Sequence, residues 1–208
     1  MNRLTRPALF AALFTTLVSS IALADFEKGL AAYEANNLPL AYKEFREAAD
    51  KGHADSQFNV ALMFEKGIGV AMDEKEAVAW YGKSAAQGNS AAQFNLGVMY
   101  ENGRGTAVDF AKAHEWYRKA SVQGDPLAIG NLGMLYIRGQ GVKENKTAGM
   151  ALLLNSVTKD PSAENNAKRN ITATRGLTPE LIAAAQALST EMDNAKNLLV
   201  PLDAFLKK

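Results

Sequence analysis

His53 and His114 are the only imidazoles in the chain, and there is no cysteine. A zinc or copper site gathers three or four such ligands, usually at short spacing. These two occupy unrelated places in the pattern, with no His-x-x-x-His pair, so no metal centre is expected. No serine stands in a Gly-x-Ser-x-Gly elbow or in a Ser-x-x-Lys run with supporting partners. The acidic residues of Asp73-Glu74-Lys75-Glu76 have the makings of an acid–base pair, but read first as a helix cap and a solvated face. Gly67-x-Gly69, Gly103-x-Gly105 and Gly139-x-Gly141 look like phosphate loops. Such loops converge several amides on an anion at a helix start, usually after a strand. Here the motif occurs three times between helices, where glycine serves a turn. Trp80-Tyr81 and Trp116-Tyr117 have the aromatic faces of a sugar platform. A paired aromatic at one recurring helical position reads first as core, with the tyrosine hydroxyls reaching the surface. The expectation is therefore no catalysis and no cofactor.

The elements that carry these residues repeat. Trp80 and Trp116 lie 36 residues apart, as do Asn59, Asn95 and Asn131, the three Gly-x-Gly turns, and Gly88 and Gly124. A period of this size, carrying one helix pair, marks an array in which each pair buries its apolar side against the next. Gly97 and Gly133 sit inside helices, where glycine costs about 1 kcal/mol against alanine. Close helix crossings would explain them, with Ala113 and Gly149 small at the opposing place. Because Ala61 stands where Gly97 does, Gly97→Ala should be nearly neutral.

The second copy resembles the Sel-one-like repeat, a longer relative of the tetratricopeptide repeat. The residues that carry the resemblance are Asn95, Leu96, Gly97, Tyr100, Gly103, Gly105, Asp109, Ala113, Trp116, Tyr117, Lys119, Ala120 and Gly124. The first copy matches with Ala61 for glycine and Phe64 for tyrosine. The third matches through Gly141-Val142, after which Leu152-Leu153 replace Trp-Tyr. The resemblance implies an all-α, right-handed superhelical solenoid of stacked helix pairs with C-terminal capping helices.

Residues 1–24 read as a secretory signal peptide. Arg3 and Arg6 precede an uncharged apolar run, and Ala22-Leu23-Ala24 is a small-x-small cleavage signal before Asp25. Zero cysteines exclude disulfides and a cysteine-linked lipid in the exported chain. Its charge is close to balanced, which argues against a nucleic-acid partner. No membrane span is expected once the leader is removed. Residues 25–53 form a tetratricopeptide-like capping pair, with Asn36-Asn37-Leu38-Pro39 as its turn. Three tandem repeats follow at 54–89, 90–125 and 126–159. Helix starts are marked by Asp73 with Glu76, by Ser90 with Gln93, and by Asp125-Pro126. Residues 160–208 form C-terminal capping helices over about 163–173, about 180–193, and from Pro201, covering the last repeat's apolar face.

The resemblance implies an adaptor of the bacterial envelope, periplasmic or secreted, that binds a partner protein or peptide on its concave face. By analogy with tetratricopeptide repeats, that groove is lined by Phe58, Asn59 and Leu62, by Phe94, Asn95 and Val98, and by Asn131, Met134, Ile137 and Arg138. The recurring asparagines either meet a peptide main chain or hold the preceding turn. A cell-wall or polysaccharide binder is the alternative reading. A weak β-lactamase-like hydrolase is a further one, known among cysteine-rich relatives whose cysteines this chain lacks.

Overall fold

A computed structural model describes residues 6–162 and 165–208, with side chains from residue 20 onward. The described residues form helices, with no strand among them. They fall into two compact units, Met1–Ala92 and Gln93–Lys208.

The first unit holds α1 (Arg6–Glu34), α2 (Leu38–Asp50), α3 (Ala54–Lys66) and α4 (Glu74–Ala86), each packed on the next. Local chemistry sets each start. Asn36 takes φ 56°, a conformation asparagine tolerates, and Asn37 caps α2 through Leu40 N. His53 caps α3, accepting from Ser56 N at 3.2 Å. Asp73 caps α4, accepting from the amides of Lys75 and Glu76. Gly67 ends α3 with φ 67°, in the left-handed region that glycine enters without strain. The second glycine of that turn, Gly69, lies on the Leu38 carbonyl, where any Cβ would collide. Gly141 lies in the same way on the Phe110 carbonyl in the second unit. The Gly-x-Gly motif is thus a turn plus a docking point for the preceding pair.

The second unit contains most of α5 (Ser90–Asn102), then α6 (Phe110–Val122), α7 (Pro126–Arg138), α8 (Lys146–Lys159), α9 (Ala167–Ala173), α10 (Pro179–Asn194) and α11 (Leu199–Leu206). The start of α5 differs from expectation. Asn89, one residue before Ser90, is the cap, and its Oδ1 accepts from Ala92 N at 2.8 Å. Asp125, Asn145 and Thr178 cap α7, α8 and α10. Tyr117, Ile129, Leu132, Leu152, Leu188, Met192 and Leu202 share one core, so α10 and α11 cover the last repeat as expected. The helix expected over 163–173 begins at Ala167; residues 163–164 lie outside the described ones. Its late start follows from Asn165, which is buried and spends its amide on the carbonyls of Ser156 and Asp160.

The crossings sort the interior glycines. A Cβ on Gly149 would stand 2.6 Å from the Gly133 carbonyl oxygen, and one on Gly133 would stand 2.8 Å from that of Gly149. Here two backbones meet. At Gly97 the opposing group is instead the Tyr117 ring, 2.6 Å from a built Cβ. The near-neutrality expected of Gly97→Ala therefore does not hold, because a buried ring would have to move.

Candidate functional site

The candidate groove residues lie on the first helix of each repeat. On α3, Phe58, Asn59 and Leu62 are half-buried, between the buried Gln57, Val60 and Ala61. On α5 the half-buried set is Phe94, Asn95 and Val98. On α7 it is Asn131, Met134 and Ile137, with Arg138 exposed. Each set thus sits at the partly accessible edge of its helix. The aromatic members also pack: Phe58 on Tyr81 at 5.8 Å between centroids, and Phe94 on Tyr117 at 6.0 Å.

The asparagines separate. Asn131 donates from Nδ2 to the Tyr117 hydroxyl at 3.1 Å, so its donor serves the scaffold. Fourteen residues before Asn59 stands Phe45, which has no hydroxyl. The Asn59 amide has no side-chain hydrogen bond within the first unit. It lines a cavity of about 200 Å³ with Leu30, Tyr33, Phe45, Leu62, Met63 and Ile68. Tyr33 is 48% exposed at this cavity. Leu30 and Tyr33 come from α1, which carries no copy of the repeat motif that could signal them.

The tyrosines do not reach the surface as expected. Tyr81 and Tyr117 are both fully buried, and each hydroxyl donates to a glutamate of the partner helix, Glu65 and Glu101, at 2.6 Å. Burial first, then the Glu101 charge, pushes the Tyr117 phenol well above its ordinary value. Glu65 and Glu101 are therefore engaged within their helix pairs. One period on, the same two positions are Ile137 and Leu153, an apolar pair. The tryptophans also divide. Trp80 is 2% exposed, with the Lys83 ammonium 3.4 Å and the Arg46 guanidinium 4.6 Å from its ring centroid. Trp116 is only half-buried, with Lys119 above it at 3.9 Å, so its assignment to the core is corrected.

Each unit also holds a charged cluster. Carboxylate oxygens of Asp25, Glu44 and Glu47 come within 4.8 Å of one another. Asp25 is already matched by Lys51 at 2.5 Å and Lys28 at 2.9 Å, and these ammonium groups hold it below the usual carboxylate range. In the second unit, His114 meets the Tyr136 hydroxyl at 3.3 Å, and Arg118 pairs with Asp203 of α11 at 2.7 Å. Burial, then the Arg118 charge, lowers His114 from 6.5 to about 4; Asp203 opposes the shift. The folded chain thus binds fewer protons here than the unfolded chain between those values. Stability from this group is complete above about pH 6.5 and falls as pH drops toward about 4. His114→Gln should reduce the acid-induced loss over that window by roughly 1–2 kcal/mol, the ring being partly solvated. Denaturation midpoints of the two proteins compared across the window check this; parallel curves would refute it.

Helix pairs of nearly constant length, glycine turns docking on the preceding pair, and a partly open face on each first helix define an all-α repeat protein of the solenoid class. The chain matches the Sel1 repeat over residues 54–89, 90–125 and 126–159, and it belongs to the Sel1 repeat family. Among solved structures it is similar to a Sel1 repeat protein from Oxalobacter formigenes, at 26% identity and a TM-score of 0.64, covering 80% of this chain and 70% of that one. It is also similar to a protective antigen of uropathogenic Escherichia coli strains that displays an SLR fold. That match has 27% identity and a TM-score of 0.55, and covers 89% of this chain but 48% of the antigen, so the chain spans about half the antigen's length. No curated protein matches it.

Proposed function

We propose that this chain is an exported adaptor of the bacterial envelope that binds a partner protein or peptide through the open faces of its first helices. The Sel1 fold is of the protein-interaction scaffold kind, and a fold alone does not name the partner. The observation that carries the reading is the cavity of the first unit. It is apolar, has Tyr33 exposed at it, and is lined by an asparagine amide with no side-chain hydrogen bond in that unit. An amide offers donors and an acceptor to a peptide main chain, while the apolar walls accept its side chain. The candidate faces in the second unit, on α5 and α7, extend the same reading.

Export is supported by the apolar leader, by Ala22-Leu23-Ala24, and by the likeness to the antigen. Between residues 20 and 24 only Ala22 is buried, whereas Asp25 is buried and ion-paired. Among the described residues no helix is long and apolar enough to cross a membrane. Protein taken from the cell envelope should begin at Asp25.

Two substitutions test the binding reading. Asn59→Ala should leave the melting temperature unchanged and abolish capture of crosslinked envelope partners. Asn131→Ala, which removes the donor to Tyr117, should cost about 1 kcal/mol. Intact capture by a folded Asn59→Ala protein would place the binding surface elsewhere.

A further inference from the structure

A second cavity, in the second unit, has a different chemistry. It measures about 180 Å³ and lies between α5, α7 and α9, lined chiefly by Phe94, Leu127, Gly130, Asn131, Asn166 and Asn170. No ionisable side chain lines it. Asn131 keeps Oδ1 free while its Nδ2 serves Tyr117. Asn166 and Asn170 lie four residues apart, at the start and on the body of α9. Their side chains have no hydrogen-bond partner among the described residues, and Asn166 does not cap the helix. Asn165 is excluded, since both ends of its amide are engaged by Ser156, Asp160 and Ala167.

Three neutral amides therefore converge on one small volume from two helices, beside an aromatic ring and a leucine. We propose that this cavity binds one neutral saccharide residue of a glycan. A pyranose presents hydroxyls that each donate and accept, which primary amides match in both senses. Its C–H face suits the flat apolar wall of Phe94. The absence of charge selects against phosphorylated or acidic sugars. A peptide main chain would call for amides spaced along an extended groove, and here they surround a space sized for a single ring. The cavity shares Phe94 and Asn131 with the candidate groove of the second unit, but it is distinct from the cavity of the first unit that carries the peptide reading, so the saccharide assignment can fail while peptide binding in the first unit stands.

The test follows the side-chain amide signals of the purified protein by NMR. The probes are maltohexaose, tetra-N-acetylchitotetraose and an uncharged acetylated pentapeptide of alanine and serine. The expected result is saturable shifts of the Asn166 and Asn170 signals with at least one glycan. Binding should weaken by about tenfold or more in the N166A/N170A double variant. Asn166 is exposed, Asn170 is half-buried, and neither side chain has a hydrogen bond to lose among the described residues, so the melting temperature of that variant should be unchanged. Undisturbed amide signals with both glycans, or equal binding by the double variant, would overturn the proposal. Shifts with the pentapeptide alone would overturn it too, and would give the cavity to a peptide.

Discussion

Gly149→Ala is expected to destabilise the second unit by about 3 kcal/mol or more, although alanine is the better helix former. The added Cβ would stand 2.6 Å from the Gly133 carbonyl oxygen and 2.5 Å from Ile137 Cγ1. A backbone carbonyl within a helix cannot turn aside, so α7 and α8 must separate. Separation opens the packing of Leu132, Leu135, Leu152 and Leu153, all fully buried. The helix-propensity gain of about 1 kcal/mol is smaller than the overpacking cost. Gly97→Ala should lose only about 1 kcal/mol, because the opposing group is a ring. The repeat with Ala61 indicates how such a ring is seated: the Phe–Tyr interplanar angle is 52° there and 35° beside Gly97. Chemical denaturation of both variants tests the ranking. Equal midpoints would mean that the α7–α8 crossing is no tighter than that of α5 and α6.

Trp80→Ala should cost about 3–5 kcal/mol, the range for removing a buried aromatic. Its ring is covered by Lys83 and Arg46, and its indole N–H donates to Glu76 at 3.2 Å. Truncation opens a cavity, leaves Glu76 without that donor, and removes the surface on which the two cations rest. Trp116→Ala, at the same repeat position, should cost only about 1–2 kcal/mol, since half-burial leaves less transfer energy to lose. Urea titrations of the two variants decide the matter. A Trp116→Ala loss equal to that of Trp80→Ala would return Trp116 to the core.

The helix pairs, their turns and most of their caps were legible in the sequence because those signals are local. Asp73, Asp125 and Thr178 each accept from an amide two or three residues on, and the glycines that end α3 and α7 need only their own φ. What the sequence did not carry was depth. Trp80 and Trp116 hold the same repeat position, each followed by a tyrosine and by a lysine three residues on, and differ in burial. The tyrosine hydroxyls were expected at the surface because a phenol tolerates water, whereas a glutamate sixteen residues earlier makes burial satisfactory. The recurring asparagines looked equivalent, yet Asn131 donates to the tyrosine fourteen residues before it, whereas Asn59 has phenylalanine at that place. Tyr33, Asn166 and Asn170 lie outside the repeats, so no period could point to them.

The change from Glu–Tyr to Ile–Leu has a consequence for how the chain avoids tangling as it folds. Near-identical modules in one polypeptide compete for each other's partners, a recognised route to misassembly. If the helix bearing Glu101 docked on the one bearing Leu153, a carboxylate would be trapped against hydrocarbon. In the reciprocal error, the Tyr117 hydroxyl would face Ile137 with nothing to accept its proton. Either swap strands a polar group in the interior at about 1–3 kcal/mol or more. The paired exchange of two residues thus works as a lock and key between the second and third modules, discriminating by mismatch. The first and second modules share the same key, so between them fidelity must rest on other devices, such as Ala61 standing one period before the Gly97 that faces Tyr117.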